Sequence, residues 1–126
     1  MCKAFLLDRN VSGVIMKLDE YVKFNRLFDV YGALLTDRQR EVVELYIFND
    51  LSLFEIAERL NISRQAASDA ISSARTRLSE YEAKLKFIEK TDSLKKQLEA
   101  LNSRIESEDI GKQELEAEIA RLVSIL

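Results

Sequence analysis

Residues Ser52–Leu78 read SLFEIAERLNISRQAASDAISSARTRL, and this stretch decides the fold. Ser52 is placed to cap a short helix, with Glu55 three residues on, where the reciprocal partner of a capping box belongs. Ile56, Ala57 and Leu60 make one apolar face. Asn61 then tolerates the left-handed backbone that a sharp turn requires. Ser63 is placed to cap a second helix. Ala66, Ala67, Ala70, Ile71, Ala74 and Leu78 recur at three- and four-residue spacing and predict its inner face. The small side chain of Ala57 permits the close approach that two steeply crossing helices need. Short helix, tight turn and longer helix form the helix-turn-helix pattern, which points to nucleic acid.

Outward from this stretch the chain reads as helical throughout. Leu18, Tyr21, Val22, Phe24, Leu27, Phe28 and Tyr31 predict a first helix closed by Gly32 at its C-terminal cap. Thr36 opens a second, with Gln39 as box partner and Leu34 or Leu35 stapled against the Arg40 stem or Val43. Val42, Val43, Leu45, Tyr46 and Phe48 are expected to face inward, and Phe48–Asp50 to turn the chain. The helix that starts after Ser63 shows no breaker until about Thr91, and its seam runs on through Tyr81, Leu85 and Ile88. The predicted core joins Leu27, Tyr31, Leu45, Ile56, Leu60, Ile71 and Leu78.

From Ser93 the pattern changes. Leu94, Leu98, Leu101 and Ile105 alternate by four and three, as in a coiled-coil seam. The seam lapses over residues 106–114 around Gly111 and resumes at Leu115, Ile119, Leu122 and Leu126. Two readings fit: an antiparallel helical hairpin or one long kinked helix. Either leaves apolar surface for a partner, and self-association as a homodimer is the expectation. The resulting fold class is all-α: a helix-turn-helix domain of about four helices (16–90) with a C-terminal helical hairpin or coiled-coil extension (91–126). Residues 1–15 form an N-terminal extension, read either as a frayed, disordered terminus or as residues preceding a natural start at Met16.

Composition narrows the chemistry. The 126 residues include no His, no Pro and one Cys, so neither a structural zinc site, an internal disulfide nor His-based catalysis can be assembled. No enzyme constellation, metal site or cofactor motif is present, and a non-enzymatic protein is expected. No apolar run approaches the roughly 18 residues of a membrane span, and no secretory leader precedes the helices, which predicts a cytoplasmic protein. Net charge is −3, whereas many DNA-binding domains are strongly basic. Only residues 64–90 are cationic, with six basic against four acidic side chains, while residues 91–126 carry five against eight.

In helix-turn-helix proteins the N-terminal part of the second helix enters the major groove. Its expected outward positions are Arg64, Gln65, Ser68, Asp69, Ser72 and Arg75. Arg pairs with a guanine edge and Gln with adenine, which makes Arg64 and Gln65 the candidates for base contact. Arg75, Arg77 and Arg38, with Thr36 and Arg40, are candidates for backbone phosphate. Asp69 disfavours a phosphate or a base edge at the same surface.

The segment FDVYGALLTDRQREVVELYIFNDLSLFEIAERLNISRQAASDAISSARTRLSEYEAKL resembles the small bacterial helix-turn-helix proteins of the YlxM type over roughly Tyr21–Leu85. The most specific pieces lie at Phe28–Gln39, Asn49–Glu58 and Asn61–Ala66. The helix-turn-helix portion is also similar to the minus-35-reading domain of the primary bacterial sigma factor. Bulkier or more basic residues are usual in the family at Ala67, Asp69, Ala70 and Ser73, and this chain has a longer C-terminal segment. The resemblance implies an all-helical cytoplasmic protein that acts with the signal recognition particle. The partners it implies are the particle's protein subunit and its RNA, the latter through Arg75, Arg77, Lys84 and Lys86. Two functions follow: an accessory or regulator of that particle's pathway, or a sequence-specific DNA-binding transcriptional regulator.

Overall fold

The computed structural model describes residues 17–126, six α-helices and one 3-10 turn; the N-terminal extension and Met16 lie outside the described residues. The chain divides into two compact units, one ending at Leu85 and the other beginning at Lys86.

The first unit contains α1 (Leu18–Tyr31), the 3-10 turn Gly32–Leu34, α2 (Asp37–Ile47), α3 (Leu53–Leu60) and α4 (Arg64–Leu85). Helix α4 packs against α1, α2 and α3 and is the spine of the unit. Its inner positions Ala67, Ile71, Ala74 and Leu78 are all fully buried. They meet Phe24, Leu27, Phe28 and Tyr31 of α1, Val42, Val43, Tyr46 and Ile47 of α2, and Leu53, Ile56 and Ala57 of α3 in one core. Alanines at 57, 67 and 74 keep the helices close, because side chains of this size let neighbouring backbones approach.

Helix starts follow the capping chemistry read from the sequence. Thr36 accepts from the Gln39 N–H at 3.2 Å while Gln39 accepts from the Thr36 N–H at 3.2 Å. Ser52 and Glu55 form the same reciprocal box at 3.2 and 3.3 Å. Each box satisfies N–H groups that have no partner within the helix.

Several expectations are revised. Gly32 is right-handed (φ −56°, ψ −32°), because the chain continues into a 3-10 turn instead of reversing. A Cβ there would lie 3.0 Å from the Phe28 ring, so a larger residue would press on that ring. Phe48 is 59% exposed, since α2 ends at Ile47 and Ile47 takes the inward position; Phe48 instead sits with its ring centroid 5.9 Å from that of Phe28. Leu45 and Leu60 are half-buried at the edge of the core, and Leu35, with Leu34 exposed, is the buried staple residue. Helix α4 does not run to Thr91. Lys86 adopts a left-handed conformation (φ 53°, ψ 31°), which breaks the hydrogen-bond ladder, and α5 starts at Phe87.

The second unit is an antiparallel hairpin of α5 (Phe87–Glu106) and α6 (Lys112–Ile125), with Gly111 at the N-cap of α6. Leu101 and Leu122 are its buried pair. Arg104 donates to Glu114 near the turn, and Arg121 donates to Gln97 further along. The reading of one long kinked helix is thereby set aside. No helix among the described residues is long and apolar enough to cross a membrane.

Candidate nucleic-acid interface

The turn between α3 and α4 is built as its residues demand. Asn61 is left-handed (φ 54°, ψ 48°), and its N–H donates back to the α3 carbonyls of Ala57 and Glu58. The Ile62 N–H returns to the Ala57 carbonyl at 3.0 Å. Ser63 then accepts from the Ala66 N–H at 2.9 Å and starts α4. These bonds fix the angle at which α4 leaves α3, and so fix which α4 side chains face out.

At 100° per residue, a buried stripe of Ala67, Ile71, Ala74 and Leu78 places Gln65, Asp69, Ser72 and Thr76 on the opposite side. All four are exposed. The stripe is polar and contains no base. The Gln65 amide donates to Asp69 at 2.8 Å, and the Thr76 hydroxyl donates to the Ser72 carbonyl at 3.1 Å. Arg64 and Arg77 are both exposed, but each lies about 110° round the helix from the middle of the stripe, on opposite sides, and they stand at opposite ends of it.

The sequence-predicted site residues divide accordingly. Arg64, Gln65 and Ser72 come together at the exposed start of α4. Ser68 does not: it is 3% exposed, because it follows Ala67 toward the inner face. Arg75 is half-buried, with its guanidinium 6.0 Å from the centroid of the Phe24 ring of α1, so its charge is drawn toward α1. Arg77 is exposed but stands across the helix from Arg64. Arg38 and Arg40 each face a glutamate of their own helix, Glu41 at 3.5 Å and Glu44 at 3.7 Å. Exposed pairs of this kind contribute about 0–1 kcal/mol, so they yield readily to a phosphate. Thr36 is engaged in its capping box.

The sequence does not announce the side-chain links that join α4 to the elements before it. Gln39, besides closing the α2 box, donates its side-chain amide to the Ser73 hydroxyl at 2.9 Å. Ser73 thus ties the start of α2 to α4. At the other end of α4, Tyr31 donates to Glu82, and Tyr81 donates to the Leu34 carbonyl at 3.2 Å. No local pattern announces either link, since the partners lie 34 to 51 residues apart.

A family model described as "Putative helix-turn-helix protein, YlxM / p13 like" matches residues 18–120. The chain belongs to this family. A UPF0122 protein of Caldanaerobacter subterraneus subsp. tengcongensis is 45% identical over 87 residues, covering 69% of this chain and 74% of its own length. One from Fusobacterium nucleatum subsp. nucleatum is 41% identical over 108 residues, 86% of this chain and all of its own length. One from Thermoanaerobacter sp. is 38% identical over 105 residues, 83% and 88% respectively. The family span reaches well into α6, so the α5–α6 hairpin belongs to the matched region and is not an addition beyond it.

Proposed function

We propose that this chain is a non-enzymatic nucleic-acid-binding regulator, with duplex DNA as its ligand and α4 as its reading helix. The observation that carries the reading is the exposed polar stripe Gln65–Asp69–Ser72–Thr76 on α4, with Arg64 exposed at the start of the same helix. Gln65 offers the amide geometry that suits adenine, and the Asp69 carboxylate suits the cytosine amino group. With a net charge of −3, little attraction to phosphate is available, so specific contacts must supply most of the affinity.

A second reading places the protein as an accessory of the signal recognition particle in the bacterial cytoplasm, in contact with its protein subunit or RNA. The resemblance to YlxM-type proteins implies it, and Lys84 near the end of α4 and Lys86 at the start of the second unit are each exposed basic side chains available to RNA. Fluorescence anisotropy against a genomic duplex library and against the particle RNA separates the two. Duplex binding that weakens about 5–150-fold (1–3 kcal/mol) in Arg64→Ala supports the first. RNA binding that ignores Arg64→Ala but is lost in a Lys84→Ala, Lys86→Ala double variant supports the second.

A further inference from the structure

The α5–α6 hairpin has two unlike faces. In α5, positions three before and four after Leu101 rotate to the same side of the contact line, and these are Leu98 and Ile105. In α6 the equivalent positions around Leu122 are Ile119 and Leu126. In an antiparallel pair these two sides fall on one face of the layer. Leu94 lies at its inner edge and Val123 at its outer edge. The opposite face holds Gln97, Arg104, Glu114, Glu118 and Arg121, joined by the Arg121–Gln97 and Arg104–Glu114 bonds and by Arg121–Glu118 at 2.7 Å. One face thus carries a network of polar partners, with Ile125 at its end 38% exposed, and the other is apolar and uncovered. Leu98 is 48% exposed, Ile105 45%, Ile119 48%, Val123 62% and Leu126 90%.

We propose that this apolar face is covered by the same face of a second copy, giving a four-helix bundle at the heart of a homodimer. The five side chains expose on the order of 500 Å² of apolar surface, so a two-fold pair would bury roughly 1,000 Å² before its polar rim is added, close to the ~1,200 Å² at which specific interfaces begin. The stems of Lys95 and Asn102 on α5 and of Lys112 and Glu116 on α6 border the face and supply that rim. The face is also self-complementary in shape. It is two antiparallel helices wide, and a second antiparallel pair laid on it completes the standard bundle geometry, in which every helix packs on two neighbours. An isologous contact of one patch with itself needs no other protein and closes without further growth.

The test is sedimentation equilibrium of the full chain, alongside a Leu98→Glu, Ile119→Glu double variant. The wild type is expected at twice 14.5 kDa. The double variant is expected at the single-chain mass, with the tyrosine fluorescence of the first unit unchanged. A wild type that stays at the single-chain mass across the concentration range overturns the proposal, whether or not another protein occupies the face. A double variant that remains dimeric overturns it as well. A control, Ser103→Glu, placed away from both faces, should remain dimeric; its dissociation would show that added charge anywhere on the hairpin breaks the dimer, and would remove the assignment to this face.

Discussion

Replacing Ile71 by alanine tests whether α4 is held as described. Ile71 is fully buried on the inner stripe of the helix that packs on α1, α2 and α3. The change deletes three carbons, and at about 0.8 kcal/mol each the transfer term is about 2.4 kcal/mol. Four helices tied by Gln39–Ser73 and Tyr81–Leu34 cannot collapse fully onto the gap, so a cavity term of about 1 kcal/mol is added. The expected loss is about 3–4 kcal/mol, from a domain whose total stability is on the order of 5–15 kcal/mol. Melting should fall by roughly 12–32 °C. The four tyrosines, Tyr21, Tyr31, Tyr46 and Tyr81, all lie in the first unit and there is no Trp, so urea unfolding followed by tyrosine fluorescence reports that unit alone. The exposed Val22→Ala serves as the control, with an expected change under about 0.5 kcal/mol. A loss below about 1 kcal/mol for Ile71→Ala, at unchanged urea dependence, would refute the packing argument.

Two further outcomes follow from the same contacts. Thr36→Ala removes the α2 cap and should cost about 1 kcal/mol. Because Gln39 links that cap to Ser73, combining it with Ser73→Ala should depart from additivity by about 0.5 kcal/mol or more; strict additivity in a denaturation cycle would mean that the link is idle. The Tyr21 hydroxyl is pushed above its ordinary value, first by burial and then by the charges of Asp50 and Tyr46. Its neutral form is therefore favoured in the folded state. The associated stability is complete below about pH 10, the ordinary tyrosine value, and is lost as pH rises through the higher folded value. In phenolate absorbance titrations the difference between wild type and Tyr21→Phe should be a step above pH 10; a difference step at or below pH 10 would contradict the raised value.

Much of the first unit was legible because its signals are local. The boxes Thr36–Gln39 and Ser52–Glu55, the left-handed Asn61 and the stripe from Ala67 to Leu78 each occupy one turn or one helix face. Boundaries set by tertiary context were not. Lys86 takes a left-handed turn without the Gly or Asn that normally marks one, so the seam through Leu85 and Ile88 seemed continuous. Phe48 looked inward by periodicity, but α2 had already ended. At the candidate site, Ser68 is expected to face outward, whereas its position 60° round from Ile71 carries it inside. Arg75 was assigned to phosphate from its charge, and only the placement of Phe24 on α1 reveals its other partner. In the hairpin, the heptad pattern marked the apolar residues but not their division. Leu101 and Leu122 pack within the hairpin, while Leu98 and Ile119 are turned to a second face.

Selection from a random duplex library addresses the central claim most directly. If α4 reads base edges through Gln65 and its neighbours, the wild type should enrich a short motif. Gln65→Ala should then lose preference at one position of that motif while keeping the others, at a cost of about 1–3 kcal/mol for that base pair. Failure of the wild type to enrich any motif, or a motif unchanged in Gln65→Ala, Asp69→Ala and Ser72→Ala alike, would contradict the assignment of the exposed α4 stripe as the reading surface.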